Sequence, residues 1–289
     1  MDIKKLLATP GQKISLKNFD TAYVGEYDKE QSKDLLKKNK KELAELQEVF
    51  WADDRYSLLI VLQASDAAGK DGAIRHVMSG VNPQGCTVHS FKAPSKEELD
   101  HNFLWRHYKA LPQRGQIGIF NRSHYENVLV TKVHPEYILG EKLPGIDSVE
   151  KIDEEFWTKR YRQINDFERE IFENGTHILK FFLNVSKKEQ KQRFLDRLND
   201  PEKNWKFSSS DMKERGFWNH YQSAFENMLN NTSTEHAPWY IIPADHKWFS
   251  RMAIGEIIVR KLRSLDLKYP PAEDPEKLKL AKKQLENEK

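Results

Sequence analysis

The sequence predicts an α/β fold built on a doubly wound parallel sheet. Several short, almost wholly apolar segments are typical of strands buried on both faces, and longer stretches with helical spacing of apolar residues lie between them. Strands that alternate with helices favour parallel pairing, because the crossover between parallel strands needs a long connection. A chain of 289 residues can form one main domain of this kind with appendages.

The strands are predicted from apolar runs rich in β-branched and aromatic residues. The first is residues 56–62, in which Ser57 is the only small polar residue. The others are 86–91, 117–120, 177–185 and 238–242.

The helices are predicted between these strands. Residues 28–50 place leucines, a valine and a phenylalanine at roughly helical spacing between lysines and acids, which indicates an amphipathic helix docked on the body. Ser95 and Glu98 form a capping-box pattern that predicts a helix to about residue 110. Further helices are expected up to residue 80, from near Ser123, over 149–173 and over 246–265.

The ends of the chain are expected to lie outside the main domain. Residues 1–55 are an N-terminal extension that includes the amphipathic helix, and residues 56–265 are the core domain. Residues 266–289 are a charged tail, either a frayed helix or disordered.

The composition excludes some classes of protein. Lys and Arg total 47 against 44 Asp and Glu, a net charge of +3, so any polyanion site must come from local clustering of basic residues. Cys86 is the only cysteine, which excludes an intramolecular disulfide and fits a reducing compartment. No segment has the apolar length of a membrane span, and the start, MDIKKLLATPGQK, lacks a secretion signal. We therefore expect a cytoplasmic protein without a membrane partner.

Residues 63–72 join the first strand to a helix through small residues that allow backbone N–H groups to approach a phosphate. The segment departs from the G-x-x-x-x-G-K-[ST] pattern, since Ala64 replaces the first glycine and Asp71 replaces the Ser or Thr that would hold magnesium. A tight turn with a solvated Lys70 is the alternative. The predicted phosphate-binding residues are Ala67, Ala68, Gly69, Lys70, Asp71 and Gly72.

Asp66 lies inside this predicted phosphate loop. A carboxylate there disfavours an anion unless a cation sits between them, so Asp66 is interpreted as a carboxylate on the Mg²⁺ side of the site. A brace of an Asx-type turn is the alternative role.

A second polar group follows the third predicted strand, in residues 118–126. In open parallel sheets ligands bind at the carboxyl ends of the strands. Arg122 could clamp a phosphate in two-pronged fashion, and Glu126, four residues on, could face the same side and serve as a second metal carboxylate. An ordinary ion-pair partner is the alternative for Glu126. His124 and Tyr125 are interpreted as packing or hydrogen-bonding residues.

The region of about 187–220 is rich in basic residues around the breaker Asn199-Asp200-Pro201. Such a segment suits a mobile lid that closes over phosphates. A solvated helix face and single-stranded nucleic-acid binding are the alternatives. The acid inside the phosphate loop favours a metal–phosphate site and argues against nucleic acid.

Five blocks of the sequence together resemble the family-2 polyphosphate kinases, over about residues 50–265. They are Asp66-Ala-Ala-Gly-Lys-Asp-Gly72, Ile74-Arg-His-Val77, Asn121-Arg-Ser-His-Tyr125, Lys203-Asn-Trp-Lys-Phe207 and Ala237-Pro-Trp-Tyr-Ile-Ile-Pro-Ala-Asp245. The resemblance implies a P-loop kinase core similar to thymidylate kinase, with a helical lid and polyphosphate in a basic channel. It also implies transfer of the terminal phosphoryl group of polyphosphate to a nucleotide, with Mg²⁺ as cofactor.

The resemblance also implies roles for single residues. Asp66 would orient metal and phosphate, Lys70 would neutralise phosphate charge, Arg122 would clamp the transferring group, and Arg193 would be an arginine on the lid side. Asn121 stands where many relatives have aspartate and resembles the subgroup that accepts both nucleoside mono- and diphosphates. The remaining phosphate contacts are expected from Arg75, Lys206 and Arg215.

Two other functions stay open on the sequence. An ATP-dependent nucleotide or small-molecule kinase could use the same fold, and a polyanion or nucleic-acid binding module could bind without catalysis. The sequence does not indicate the preferred nucleobase, the preference between AMP and ADP, the direction of transfer or the polyphosphate chain length. A homo-oligomer of two or four copies is expected from the family alone.

Overall fold

The computed structural model describes residues 1–288 and contains one six-stranded sheet at its centre. The strands stand in the order β1-β6-β5-β2-β4-β3, and every neighbouring pair is parallel except β1 and β6. The prediction of a doubly wound, mostly parallel sheet is confirmed. The strands are β1 Leu7–Ala8, β2 Ser57–Ala64, β3 Cys86–Ser90, β4 Ile117–Asn121, β5 Thr176–Asn184 and β6 Trp239–Pro243.

The helices lie mostly between the strands. They are α1 Lys29–Asp53, α2 Lys70–Val77, α3 Lys96–Leu99, α4 Trp105–Lys109, α5 Glu126–Val133, α6 Glu154–Glu173, α7 Lys187–Leu198, α8 Ser209–Gly216, α9 Trp218–Thr232, α10 Lys247–Arg263 and α11 Pro275–Glu286.

The sheet separates two hydrophobic cores, because successive side chains of a strand point to opposite faces. On one face, β2 residues such as Leu58 and Ile60 pack with residues of α1, α2 and α10. On the other face, Leu59 and Val61 pack with residues of α5, α6 and α9. Five consecutive β2 residues, 58–62, are at most 2% exposed, as expected for a strand covered on both faces.

Two connecting loops meet at the carboxyl edge of the sheet. Leu62 of β2 is the register partner of Asn121 of β4, so the loop after β2 and the loop after β4 lie side by side. The amide N–H of Arg122 donates to the carbonyl of Leu62 at 3.1 Å. The fold thus brings the two polar segments singled out in the sequence to one place.

The single helix expected from Ser95 to about residue 110 is wrong, since α3 and α4 are separate. The capping box of Ser95 and Glu98 is present, but α3 ends at Leu99. The side chain of Asn102 accepts a hydrogen bond from the amide of Leu104, a local turn that competes with helix continuation.

Other expected boundaries shift by a few residues. The helix expected over 149–173 begins at Glu154, after a 3₁₀ turn, Val149–Lys151, and the helix expected near Ser123 begins at Glu126. The sequence did not indicate β1, whose two residues are too few to show a period. In the tail, α11 forms and has no buried residue.

Within residues 1–288, no helix combines the length and the apolar character needed to span a bilayer.

Candidate active site

The loop after β2 has the geometry of a phosphate cradle. Gly69 has φ of 109°, which a side chain would strain, and Ala67 adopts a left-handed φ of 60°. The carbonyl of Asp66 accepts a hydrogen bond from Gln190 Nε2 at 3.0 Å. The carbonyls of Ala67 and Ala68 accept from Arg193 Nη1 at 3.1 and 2.6 Å.

These contacts hold the loop carbonyls against α7. Across residues 1–288, the backbone N–H groups of Ala67, Gly69 and Lys70 have no hydrogen-bond acceptor. Free N–H groups at the start of a helix attract anions, because the helix dipole adds to their partial positive charge. The loop is therefore organised to receive a phosphate.

The side chain of Lys70 lies close to this loop. Its Nζ donates to the carbonyl of Ala64 at 3.0 Å. Burial and the guanidinium of Arg122 lower the pKa of Lys70, while nearby carboxylates, Asp66 first among them, oppose this shift. An anionic phosphate near Lys70 would relieve that repulsion between cations.

The loop after β4 places a guanidinium opposite the phosphate loop. Arg122 has a left-handed φ of 62°, and its Nη2 donates to Asp66 Oδ1 at 2.8 Å. Both side chains are partly exposed. Arg122 and Asp66 are thus brought together as expected, but their direct ion pair was not foreseen.

Asn121 ends β4 beside the start of α2. Its Nδ2 donates to Asp71 Oδ1 at 2.8 Å and to Ser90 Oγ at 3.3 Å. An aspartate at position 121 would instead set two carboxylates against each other. The amide of Asn121 therefore lets Asp71 stand at the helix start without a second negative charge.

A cavity of about 190 Å³ opens beside these loops, on the sheet face covered by α5 and α9. Asp66, Arg122 and Glu126 form part of its polar wall. Apolar and aromatic side chains form the rest, a combination typical of pockets for small organic ligands. The aromatic residues are Tyr137, Trp218, Tyr221 and Phe225.

Glu126 is the first residue of α5 and faces the cavity. Burial raises the pKa of its carboxyl group above the usual value, although the charges of Arg122 and Lys70 act in the opposite direction. Proximity to Arg122 agrees with the expectation from the spacing of four residues. Its role as a metal ligand stays a prediction.

A second group of charges lies on the opposite sheet face, where α2 and α10 pack together. Arg75 comes from α2, and Lys247 and Arg251 come from the first turns of α10. No carboxylate within residues 1–288 forms a salt bridge with any of the three, counting N–O distances up to 4.0 Å. The three charges act on one another, and we call these three residues the cationic groove, a name that refers to their charges alone.

The cations of the groove repel one another. Burial, Arg75 and Arg193 lower the pKa of Arg251. Burial is also the main cause of the lowered pKa of Lys247, and Arg193 and Arg251 add to it. A polyanion in the groove would remove this repulsion. The guanidinium of Arg251 lies close to the start of α2, since a Cβ added to Gly72 would lie 3.4 Å from its Nη2.

Arg193, predicted as a lid-side arginine, and Lys206 and Arg215, predicted as phosphate contacts, have other surroundings than expected. Arg193 is buried, and besides the loop its Nη2 donates to the carbonyls of Ala244 and Asp245, so it braces the loop from beneath. Lys206 is exposed and lies 4.9 Å over the ring of Trp205. Arg215 lines the cavity and donates to Gln190 Oε1 at 2.5 Å.

The sequence reasoning missed Lys247 and Arg251. Their spacing of four residues, directly after the carboxyl end of a strand, was the available signal. It was overlooked because the basic residues of the lid are more numerous. Gln190 was also missed, since a neutral amide carries no charge pattern.

The family resemblance implies a magnesium ion at the phosphate loop, and whether the site can hold one depends on the carboxylates near that loop. Among residues 1–288, no cluster of three or more His, Cys, Asp or Glu could hold a metal ion. Mg²⁺ however keeps several waters and binds through one or two carboxylates together with substrate phosphates. The partly exposed carboxylate of Asp66, next to the loop N–H groups, fits that mode.

In this parallel sheet, the central strand is followed by a phosphate loop and the neighbouring strand by an arginine, and a helical segment lies above both. This arrangement is typical of a phosphotransferase of the P-loop kinase type. The profile described as "Polyphosphate kinase 2 (PPK2)" matches residues 26–270. The chain belongs to the polyphosphate kinase 2 family.

Several relatives cover most of both chains. An ADP-polyphosphate phosphotransferase of Rhodopseudomonas palustris is 47% identical over 268 residues, which is 92% of each chain. An AMP/ADP-polyphosphate phosphotransferase of Meiothermus ruber is 41% identical, over 94% of this chain and 97% of the relative. The crystal structure of polyphosphate kinase 2 from Arthrobacter aurescens superposes with a TM-score of 0.85 at 38% identity, covering 95% of this chain and 96% of the other.

Proposed function

We propose that this enzyme transfers the terminal phosphoryl group of inorganic polyphosphate to nucleoside mono- and diphosphates such as AMP and ADP. One observation carries the proposal: two different binding surfaces meet at one phosphate loop. The cavity lies on one sheet face and the cationic groove on the other. The names of the relatives supply the same two substrates, polyphosphate and AMP or ADP.

The cavity suits the nucleotide. Its aromatic walls can hold a nucleobase, and Arg122 at its polar end can bind the phosphate of the acceptor. Arg215, which also lines the cavity, adds a second cation for that phosphate.

The cationic groove suits polyphosphate. A chain of phosphates carries repeated negative charge and has no apolar part, so it needs basic residues without carboxylate partners. Arg75, Lys247 and Arg251 have this character, and their groove lies beside the start of α2. The terminal phosphate would reach the loop from that side.

In this reaction the protein aligns the reacting phosphates and neutralises their charge. A phosphate oxygen of the acceptor attacks the terminal phosphorus of polyphosphate, and the bond to the next bridging oxygen breaks, which leaves polyphosphate one unit shorter. The loop N–H groups, Lys70 and Arg122 stabilise the charge on the transferring group. Asp66 would hold a magnesium ion that neutralises phosphate charge when bound. No covalent enzyme intermediate is required.

We also propose that the protein acts in the cytoplasm, which its single cysteine favours, and that it forms a homo-oligomer, as the family resemblance implies. Burial raises the pKa of the Cys86 thiol to about 11, which suits an unreactive structural cysteine in a reducing compartment. Light scattering after size exclusion measures the number of copies.

Product analysis tests the proposed activity. Purified protein is incubated with polyphosphate, Mg²⁺ and either AMP or ADP, and nucleotides are separated by chromatography. We expect ADP and ATP from AMP, and ATP from ADP. Product from ATP and AMP but none from polyphosphate would indicate an ATP-dependent kinase instead, and salt-sensitive polyphosphate binding without any product would indicate a binding module.

A further inference from the structure

A buried ion pair lies behind the loop after β4, residues 122–125, which we call the active-site loop. No step of the reaction proposed above uses this ion pair. Lys180 of β5 and Glu168 of α6 are both fully buried, with Lys180 Nζ 2.6 Å from Glu168 Oε2. Lys180 Nζ also donates to Tyr125 Oη at 2.8 Å and to the carbonyl of Thr232 at 2.7 Å. All three N–H groups of this ammonium are therefore satisfied.

The other oxygen of Glu168 holds the active-site loop. Glu168 Oε1 accepts a hydrogen bond from Tyr125 Oη at 2.6 Å and lies 3.2 Å from His124 Nε2. Burial lowers the pKa of His124, and the hydrogen bond to Glu168 opposes this shift. Both oxygens of the carboxylate are thus used within the protein.

His124 and Tyr125 stand directly between Arg122 and Glu126. The remaining link, Ser123, is also fixed: its hydroxyl accepts hydrogen bonds from Gln63 Nε2 and from the amide of Tyr125. Arg122 itself has the left-handed φ of 62°, a conformation that persists only where neighbouring contacts impose it. The amide of Arg122 is held by the carbonyl of Leu62 and its guanidinium by Asp66, and the contacts of residues 123–125 fix the chain that follows it.

A buried ion pair is weak evidence for stability, because removing two charges from water offsets much of their attraction. We therefore look for the contribution of this ion pair in the loop conformation that it fixes. We propose that Glu168 and Lys180 are positioning residues, which hold the loop so that Arg122 meets the transferring phosphoryl group.

The test replaces both charges together, so that neither is left unpaired in the interior. The variant Glu168→Gln/Lys180→Met keeps the approximate sizes of the side chains. The matched control is Glu141→Gln/Arg160→Met, which removes another buried ion pair anchored on α6. Arg160 packs on Phe103 and Phe156, and within residues 1–288 its side-chain hydrogen bonds and ion pair go to Glu141 rather than to residues 122–126.

Steady-state turnover of ADP with polyphosphate gives kcat and both KM values. We expect kcat of the Glu168/Lys180 variant to fall about tenfold to 100-fold, the effect of a small misplacement of a catalytic group, with little change in either KM. The control variant should keep the parent kcat. A folded Glu168/Lys180 variant with the parent kcat overturns the proposal.

A double-mutant cycle with Arg122→Lys separates positioning from a general loss of structure. If the ion pair acts through Arg122, adding the Glu168/Lys180 change to Arg122→Lys should reduce kcat much less than it does in the parent. Fully multiplicative losses would contradict the assignment. If the double replacement does not fold, Tyr125→Phe, which removes one hydroxyl from the same network, takes its place, and an unchanged kcat there overturns the proposal.

This inference rests on the proposed function, and the two can fail separately. A parent protein that forms no nucleotide product from polyphosphate counts against the proposed function. An active parent with an unaffected Glu168/Lys180 variant counts against this inference alone.

Discussion

The carboxylate of Asp66 has two possible partners, the guanidinium of Arg122 and a magnesium ion. In the structure its Oδ1 accepts from Arg122 Nη2 at 2.8 Å, and in the proposed reaction its carboxylate holds magnesium. Substrate binding would then draw Arg122 toward phosphate and free Asp66 for the metal. Both roles depend on the negative charge.

The change Asp66→Asn keeps the shape and removes that charge. We expect turnover to fall about 100-fold or more, the scale seen when one preorganised electrostatic group is lost. The melting temperature should change little, because the ion pair is partly exposed. Turnover and melting are measured on one preparation. Turnover near the parent value would remove Asp66 from the mechanism and leave it as a turn brace.

Asn121 lies where one more negative charge would face Asp71. For Asn121→Asp we expect AMP turnover to fall about tenfold relative to ADP turnover, equivalent to roughly 1.4 kcal/mol in the barrier. The expected direction rests on the resemblance of Asn121 to the subgroup that accepts both nucleoside mono- and diphosphates. Initial rates with each acceptor measure the ratio. An unchanged ratio would contradict a role of Asn121 in accepting both nucleotides.

Glu126 couples the site to the pH dependence of stability. Burial raises the pKa of its carboxyl group, so the folded protein binds that proton more tightly than the unfolded chain does. The resulting contribution to stability is present below the unfolded pKa of about 4.3 and is lost as pH rises through the folded value.

The change Glu126→Gln removes the ionisable carboxyl group, and with it the stability that the parent loses as pH rises. Without substrate, we expect the variant to be more stable than the parent at pH 7, and the difference to shrink as pH falls toward about 4. Urea denaturation at both pH values measures it. A parent protein that is more stable than the variant at pH 7 would show that the attraction of Glu126 to Arg122 and Lys70 outweighs its desolvation.

At the residue scale, the sequence predicted the loop residues and Arg122 because each follows a strand at the edge where ligands bind. The structure brings Asp66, Lys70 and Arg122 together. The surroundings of Arg193 and Lys206 differ from the prediction. Charge alone does not show whether a cation binds the protein's own carbonyls or points to solvent.

At the scale of elements, the basic residues divide between the lid and α10. The predicted lid, about residues 187–220, includes α7, a 3₁₀ turn Asn204–Lys206 and α8. Lys206 lies on its exposed surface, whereas Arg215 of α8 lines the aromatic cavity. These two predicted phosphate contacts therefore lie in different surroundings, and we expect different effects from their replacement.

Single changes in the lid test this division. Lys206→Gln should leave the polyphosphate saturation curve unchanged at low and high salt, because its ammonium lies over Trp205 at the exposed surface. Arg215→Gln should raise the KM for ADP by about tenfold, since a hydrogen bond to a charged group contributes about 1.5 kcal/mol or more. Saturation curves for both substrates are the measurement. A large rise in the polyphosphate KM of Lys206→Gln would return the lid to the polyphosphate site.

Element prediction from the sequence succeeded where the signal was long. The amphipathic helix expected over 28–50 is α1, opened by a capping box between Asp28 and Gln31. The break between α3 and α4 escaped prediction because the turn at Asn102 depends on one side-chain bond. The strand β1 is fixed by pairing with β6, a contact distant in sequence.

At the scale of the whole molecule, the sheet keeps the two proposed substrates on opposite faces. The aromatic cavity belongs to the core with α5 and α9, and the cationic groove to the core with α2 and α10. The loop after β2 is the place where both can reach one phosphate. The sequence indicated the loop, and the family resemblance implied a basic channel. The packing of α10 on α2 is the reason why we propose Arg75, Lys247 and Arg251 as its cations.

The most direct test of this arrangement compares one variant from each face in a two-substrate kinetic matrix. Lys247→Gln/Arg251→Gln alters the groove, and Trp218→Ala alters the cavity. We expect the groove variant to raise the KM for polyphosphate about tenfold or more, with a weaker salt dependence and a KM for ADP close to that of the parent. The cavity variant should raise the KM for ADP and leave that for polyphosphate unchanged. A groove variant that raises the KM for ADP alone, or two variants that raise the same KM, would contradict the account.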